Sequence, residues 1–404
     1  MWPLILAVGC GPVSIKVDDS GPASIDDSHT LVGDTDIEDI PGTPSDSDVL
    51  FDQSRMPVLE LELSSSSYNA LQRNPYEYVE GTLIYDGVRY EPIGVRTKGE
   101  NSWRPINQKS SLKLDFNRYE GGPGRFLGLK GLTLNAMNED YSMMHERVAY
   151  WLYRKAGVPA SRANHAIVHL NGELYGLFAL LDTIDDVFLG RWFEDTSGSL
   201  YEQHDGDYTD AYVQNNTYFQ LEEGEGDRSG LQWVADALEN SGPDAVALAG
   251  ERLDWEAFHR YWAAGSIVMN FDAYPFRFAG DDCHVYDDPT RGKLVYIPHG
   301  VDESFYYNDN FEARAAGHLS ARCREVQSCR DDWALIVYDV LQVAESEDML
   351  GFAETVREQI ADAAEADPNR NYSWSNVRAY QQDMIDKIER RRASVVDFIG
   401  PPPE

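Results

Sequence analysis

The chain predicts an α+β fold, with an antiparallel sheet in its N-terminal part and mainly helices in its C-terminal part. Three observations carry this. Between Met56 and Asn135 apolar and polar side chains alternate with period two, which puts one set on each face of a strand. At Met143–Lys155 the period lengthens to that of a helix, and Asp331–Ala364 and Trp374–Phe398 keep the helical period. Finally, 404 residues, 42% of them hydrophobic, are enough to bury a large core in two lobes or domains.

In chain order, Met1–Gly9 is a short apolar run leading into Leu6-Ala7-Val8-Gly9-Cys10. It is similar to a bacterial lipoprotein signal, in which a small residue precedes the cysteine that becomes lipidated. It lacks the usual basic segment and is short, and a misassigned start codon explains both. Pro12–Asp48 is rich in Asp, Ser, Gly, Pro and Thr without hydrophobic periodicity and reads as a disordered acidic tether. The expected organisation is therefore a signal at 1–10, a linker at 11–54 and a folded domain at 55–400, divided near 182/183. Its expected place is extracytoplasmic, at a bacterial cell surface, touching the membrane only through a lipid on Cys10. Of the remaining cysteines, Cys323 and Cys329 are close enough to bridge in an exported protein, leaving Cys283 odd. His165 and His169 have a zinc-helix spacing, but the intervening Ala-Ile-Val reads as strand, which argues against a zinc site.

The net charge of −35 excludes nucleic-acid binding by bulk charge. Against that background Gly94–Lys155 carries eleven Lys/Arg and six Asp/Glu. A local cationic patch in an acidic protein points to a held anion. Within GVRTKGENSWRPINQKSSLK, Arg96 and Lys98 share one side of a strand, as do Lys109, Ser111 and Lys113. With Gly99-Glu100-Asn101-Ser102 between them, the two strands form either a phosphate cradle or a solvated cationic face.

The remaining elements follow from local signals. Met56–Leu63 is a first strand, and Asp86-Gly87 marks a hairpin. Strands at Gly94–Lys98, Ser111–Phe116 and Leu132–Asn135 continue the sheet. A helix over Met143–Lys155, N-capped by Ser142, carries Met144, Val148, Trp151 and Leu152 on one face and stops at Gly157-Val158-Pro159. A second hairpin turns at Asn171-Gly172. Tyr201–Asp227 is acidic and loop-like, an insertion or a lid. A helix at Trp255–Asn270, capped by Asp254, ends in Asn270-Phe271-Asp272. The following hairpin, Cys283–Tyr286 and Lys293–Pro298, has arms of similar length, so Asp281, Asp282 and Asp302 come to one end of it. Phosphoryl transfer needs such a set: one carboxylate to orient or deprotonate an acceptor hydroxyl, others to hold a hard cation on phosphate oxygens.

Several motifs together resemble the spore-coat protein H (CotH) kinase family, from about Met56 to about Phe305. They are Arg-x-Lys-Gly-x-x-Ser at Arg96–Ser102, Lys-x-Ser-x-Lys at Lys109–Lys113, and Leu-Asn-Ala-x-Asn-x-Asp-x-Ser-x-x-x-Glu at Leu134–Glu146. Gly-Val-Pro-Ala at Gly157–Ala160, Leu-Asn-Gly-x-x-Tyr-Gly-Leu at Leu170–Leu177 and Asn-x-Asp at Asn270–Asp272 complete the set. The resemblance implies a two-lobed protein-kinase-like fold that uses ATP with Mg²⁺ or Mn²⁺. It implies nucleotide binding by Arg96, Lys98, Lys109 and Lys113, with Glu146 pairing one of Lys113, Lys109 or Lys98. Leu180–Asp185 matches the inter-lobe hinge that meets adenine through its backbone, with Asp182 where the family has Glu.

By the same resemblance Asp272 is the catalytic base, and Asp282 and Asp302 are metal ligands, Asp282 replacing an amide. Gly300 stands where the family pattern has the first Asp of Pro-Trp-Asp-x-Asp, and the added charge of Asp282 is a candidate compensation. The implied function is phosphoryl transfer to Ser or Thr of an extracytoplasmic or coat protein, with AMP transfer or carboxylate activation open on the same site. The loss at Gly300 equally leaves open a nucleotide-binding pseudokinase, or an adhesion or coat-assembly module without transfer activity. A calcium-dependent surface binder rests on the acidity alone.

Overall fold

Strand β1, Val58–Glu62, follows its sequence pattern: Leu59 and Leu61 are buried while Val58, Glu60 and Glu62 are exposed. The computed structural model describes residues 46–99, 101–240, 242–276, 280–307 and 310–402. The signal-like segment, and the acidic tether as far as residue 45, lie outside the described residues. Helix α1 (Asp48–Phe51) precedes β1, and α2 (Ser65–Arg73) follows it. Then come β2 (Val79–Tyr85), β3 (Val88–Lys98), β4 (Ser111–Asp115), β5 (Gly131–Asn135), helix α3 (His145–Lys155), β6 (Ala163–Leu170) and β7 (Glu173–Asp182). Both expected hairpin turns are present. Asp86 and Gly87 have φ of 49° and 76°, Asn171 and Gly172 of 52° and 85°, the two-residue left-handed turn that matches strand twist.

These seven strands are not an open antiparallel sheet. They close into a barrel in the order β1-β2-β3-β4-β5-β7-β6, sealed by a parallel pairing of β1 with β6 from Val58↔Ile167 to Leu61↔Leu170. Closure pairs the two edges that an open sheet would leave with unsatisfied backbone groups. Leu61, Leu83, Val95, Leu114, Leu134 and Leu180 belong to the apolar cluster of the barrel. On β3 and β4 the alternate positions Arg96, Lys98 and Lys113 fall on the opposite, outer face.

Helix α3 belongs to a second apolar cluster, in which Met144, Val148 and Leu152 join Ala163, Leu177 and Leu181. It starts two residues later than expected, at His145. Asp140 causes the delay: its carboxylate takes the Ser142 N–H at 2.9 Å, the Ser142 hydroxyl at 2.7 Å and the His145 N–H at 2.6 Å. Ser142 Oγ still accepts the Met144 N–H at 3.1 Å, so the serine works inside a turn built around Asp140 rather than as the cap.

The rest of the chain runs α4 (Asp186–Trp192), β8 (Leu200–Gln203), α5 (Asp210–Val213), β9 (Phe219–Glu223), α6 (Ser229–Leu238), α7 (Gly242–Ala249), α8 (Trp255–Val268), β10 (Cys283–Asp288) and β11 (Lys293–Pro298). A 3₁₀ turn at Val301–Glu303 leads to α9 (Phe311–Arg314), α10 (His318–Glu325), α11 (Gln327–Ser346), α12 (Met349–Ala366), α13 (Trp374–Glu389) and α14 (Arg391–Ile399). A second sheet has the order β11-β10-β8-β9. The segment read as an acidic loop, Tyr201–Asp227, thus supplies most of β8 and all of β9. Both strands are short and carry glutamates among their buried residues, so composition masks the alternation. Asp254 caps α8 as expected, accepting the Ala257 N–H at 3.1 Å. Cys323 and Cys329 form a disulfide between α10 and α11, and Cys283 is a buried free thiol.

Candidate active site

The cationic patch lies on the outer face of β3 and β4. Register pairs Arg96 with Lys113 and Lys98 with Ser111, and Lys113 pairs in turn with Thr133 of β5, so Arg96, Lys98 and Lys113 form one cationic surface. The Arg96 guanidinium also sits 5.4 Å from the centre of the Tyr78 ring. Burial depresses the Lys113 amine, Arg96 depresses it further, and Glu202 of β8 and Glu222 of β9 oppose them. The second sheet therefore presents acid towards the cations of the barrel.

Next to this surface, Asn135 ties three elements together. Its Oδ1 accepts the Ser111 hydroxyl at 3.2 Å and the Met137 N–H at 3.0 Å, while its Nδ2 donates to Asp302 Oδ2 at 3.4 Å. Asp302 is anchored a second time, through its carbonyl, by His145 Nδ1 at 2.7 Å. Glu146 is buried beneath them in the first turn of α3, and its Oε2 has no hydrogen-bond partner. Burial, then the negative charge of Asp302, pushes the Glu146 carboxyl well above the usual carboxylate range; Lys98 pulls the other way. Of the three lysines expected as partners, Lys98 is the one whose field acts on Glu146, and it does so without closing an ion pair.

The carboxylates meet at the open end of the β10/β11 hairpin. Ala273 bridges Asp281, and the Tyr274 N–H donates to the Asp281 carbonyl at 3.0 Å, which brings the end of α8 beside the hairpin. Burial raises the Asp282 carboxyl well above its usual range, and Asp281, Asp272, Asp302 and Glu303 add to the effect in that order. Asp272, Asp282 and Asp302, the three residues expected to do the chemistry, thus lie within electrostatic reach of one another. Glu139, which no motif singled out, joins them: burial raises its carboxyl, as do Asp302 and Asp272, with Arg104 opposing. His204 lies between two carboxylates, Nε2 at 3.3 Å from Glu202 and Nδ1 at 3.7 Å from Asp281, and these hold it protonated up to about 10.

Gly300 needs its lack of a side chain. Its φ is +56°, and a Cβ there would fall 2.1 Å from Asp282 Oδ1 and 2.4 Å from Asp282 Cγ. The Asp282 carboxylate fills the space in which any side chain at 300 would begin.

Two expected nucleotide ligands have other partners. Strand β4 begins only at Ser111, so the alternation does not extend to Lys109; its amine is buried and bonded to Asp367 Oδ2 at 2.7 Å. Asp182, expected at an adenine-contacting hinge, is a buried carboxylate bonded to Arg162 Nε and Arg191 Nη2, each at 2.7 Å. Burial would raise its carboxyl, but Arg162 and Arg191 more than offset this and hold it below the usual range. Its backbone is engaged too: the N–H donates to the Arg162 carbonyl at 3.1 Å, and the carbonyl accepts the Ser161 hydroxyl at 3.2 Å. Asn135 and His145 are the converse case, positioned at the centre of the site but not singled out by the sequence; both lie inside the Leu134–Glu146 motif, which was the available signal.

The donor set suits a hard cation. Asp272, Asp282, Asp302 and Glu139 all offer oxygen, and Mg²⁺ needs only one or two carboxylates when phosphate oxygens complete its shell. Among the described residues, the one group of three or more His, Cys, Asp or Glu ligand atoms within 4.8 Å of one another is His259 with Cys323 and Cys329, whose two sulfurs are bonded to each other, so the four carboxylates offer oxygens without forming a closed set of three.

A cationic barrel face thus lies beside a group of half-buried carboxylates. The chain belongs to the CotH kinase family: the family model described as CotH kinase protein matches residues 95–395. It is 21% identical over 254 residues to the inner spore coat protein H of Bacillus subtilis, covering 58% of this chain and 67% of that protein. It is 23% identical over 286 residues to invasin CotH2 of Rhizopus delemar, covering 64% of this chain and 46% of the invasin, so it spans about half of that relative. Among solved structures, the proinflammatory kinase CtkA of Helicobacter pylori aligns over 80% of this chain and 92% of its own, at 10% identity and a TM-score of 0.28.

Proposed function

We propose that the protein transfers the γ-phosphoryl group of ATP to a serine or threonine of an extracytoplasmic protein. The observation that supports it best is the junction of Asn135, Glu146 and Asp302, which sets the cations of the barrel beside the carboxylates of the hairpin. In this reading the barrel with α3 is the smaller of two lobes, and the second sheet with the remaining helices is the larger. Arg96, Lys98 and Lys113 neutralise the phosphate chain, and buried Glu146 acts on the Lys98 amine through its field. Asp282 and Asp302 hold Mg²⁺ or Mn²⁺, which when bound offsets the charge on the phosphate oxygens. Asp272 accepts the proton of the acceptor hydroxyl. The pseudokinase and assembly-module readings rest on Gly300, and the Asp282 carboxylate beside it supports the transfer reading over them.

The test is label transfer with ATP labelled at the γ- or the α-phosphate, offered Ser/Thr peptides and the protein itself, with Mg²⁺ or with EDTA. Metal-dependent γ-label on the acceptor, lost in Asp272→Asn, is the expected result. Transfer of α-label instead would identify AMP transfer. ATP consumed without label on any acceptor would point to carboxylate activation.

A further inference from the structure

Asp282 and Gly300 face each other just beyond the paired part of the β10/β11 hairpin. The last ladder pair is Cys283↔Pro298, and the His299 N–H then donates to the Asp282 carbonyl at 3.0 Å. Both residues have left-handed backbone, φ +51° at Asp282 and +56° at Gly300. A Cβ on Gly300 would meet Asp282 Oδ1, Cγ and Oδ2 at 2.1, 2.4 and 2.8 Å, so the whole carboxylate lies inside the space of that side chain.

Backbone conformation alone does not require glycine at 300, because Asp and Asn are the side-chain-bearing residues that tolerate this region best. An aspartate at 300 would have to displace the Asp282 carboxylate from that space. Conversely, glycine at 282 meets no conformational penalty. We infer that positions 282 and 300 form a single carboxylate slot that either arm of the hairpin can fill, and that in this chain Asp282 supplies the acid that a side chain at 300 would otherwise bring to the metal. The inference rests on the metal-and-nucleotide reading above.

A cation in this place also answers two features of the surroundings. Glu146 Oε2 is buried without a hydrogen-bond partner, and Asp302 is the charged neighbour that acts on it most strongly. Asn270, two residues before Asp272, is fully buried beside Tyr153, and neither its side chain nor the Tyr153 hydroxyl makes a hydrogen bond of ordinary geometry. Buried polar atoms left unpaired are uncommon and mark places where a ligand, water or ion completes the set.

The slot makes a reciprocal prediction that a lone ligand would not. Three variants of the full chain separate the cases: Gly300→Asp, Asp282→Gly and the exchange of both, which keeps composition and net charge. Asp282→Asn is a fourth, keeping the shape and backbone preference while removing the charge. Binding of Mn²⁺ in the presence of ATP is read by electron paramagnetic resonance, and melting temperature with and without ligands by calorimetry. Asp282→Gly and Asp282→Asn are expected to fold and to bind Mn²⁺ at least about tenfold more weakly. Gly300→Asp is expected to melt lower than wild type, because two carboxylates crowd one space. The exchanged variant is expected to recover Mn²⁺ affinity to within a few-fold of wild type. An exchanged variant no better than Asp282→Gly, or Asp282→Asn with undiminished Mn²⁺ binding, overturns the shared slot. A wild-type protein without metal-dependent ATP binding overturns the underlying reading first, so the two failures are distinguishable.

Discussion

Lys109 Nζ lies 2.7 Å from Asp367 Oδ2, with both side chains sealed from solvent. Asp367 also accepts the Leu177 N–H at 3.0 Å and the Asn369 N–H at 2.8 Å, so one carboxylate fastens β7, Lys109 and the chain leaving α12. Gly176, at φ +145°, is where this approach is closest: a Cβ there would fall 2.6 Å from the same carboxylate. The pair is a bolt between the barrel and the C-terminal helices, and its charge is spent on Asp367.

Removing one partner of such a buried pair strands the other's charge. Lys109→Met is therefore expected to lose about 3–5 kcal/mol of stability in urea unfolding, with the ATP affinity of the folded protein unchanged. Normal stability together with lost ATP binding would return Lys109 to the phosphate site.

Asp182 answers to the same logic. Asp182→Asn leaves Arg162 and Arg191 facing an amide and is expected to cost about 3 kcal/mol or more. Preference for ATP over GTP, measured by competition, should not move, because the Asp182 carboxylate is spent on Arg162 and Arg191. A changed nucleotide preference would place it at the hinge after all.

Glu146 carries a raised carboxyl, so the folded state binds its proton more tightly than the unfolded state does. Its contribution to stability is present at low pH and is lost as pH rises from the ordinary carboxyl value of 4.5 through the folded value. Glu146→Gln should therefore be more stable than wild type at neutral pH without ligand and should show a shallower decline of melting temperature from pH 4.5 upward. Its ATP affinity should fall at pH values where Glu146 is ionised, because there the Lys98 amine loses its counter-charge. Unaltered ATP affinity would remove Glu146 from the nucleotide machinery.

His204 has the opposite chemistry with the same sign. Hydrogen bonding to Asp281 and Glu202 raises it from 6.5 to about 10, so its stabilisation is complete below pH 6.5 and lost as pH rises through 10. His204→Gln is expected to flatten the pH dependence of melting between 7 and 10 and to lower the melting temperature at pH 7. A wild-type slope in the variant would assign the titration elsewhere. The imidazole is 42% exposed, so the effect is smaller than the shift alone suggests.

Much of this was legible in the sequence, and the failures have definable causes. Period two placed Arg96, Lys98 and Lys113 on one face because strand alternation is local. The same rule misassigned Lys109, since nothing local marks where β4 begins. The equal hairpin arms correctly predicted that Asp282 and Asp302 would meet. Barrel closure was not legible, because the β1/β6 pairing joins residues more than a hundred positions apart and follows from the shape of the whole sheet. Strands β8 and β9 were hidden by their acidity. Asp182 could not be separated from a hinge residue, since Arg162 and Arg191 come to it only through folding. The fit of Asp282 into the empty space at Gly300 is likewise a three-dimensional fact, and the sequence shows only the missing side chain.

The decisive measurement is the thermal stability of the full chain with ATP and Mg²⁺ together, against each alone, in wild type and Asp302→Ala. Selective binding to the folded state adds about 2.7 kcal/mol at a hundredfold excess over the dissociation constant. The site described here predicts a shift that needs both nucleotide and metal and that disappears in Asp302→Ala. No shift with both ligands, or one that survives loss of Asp302, would contradict it.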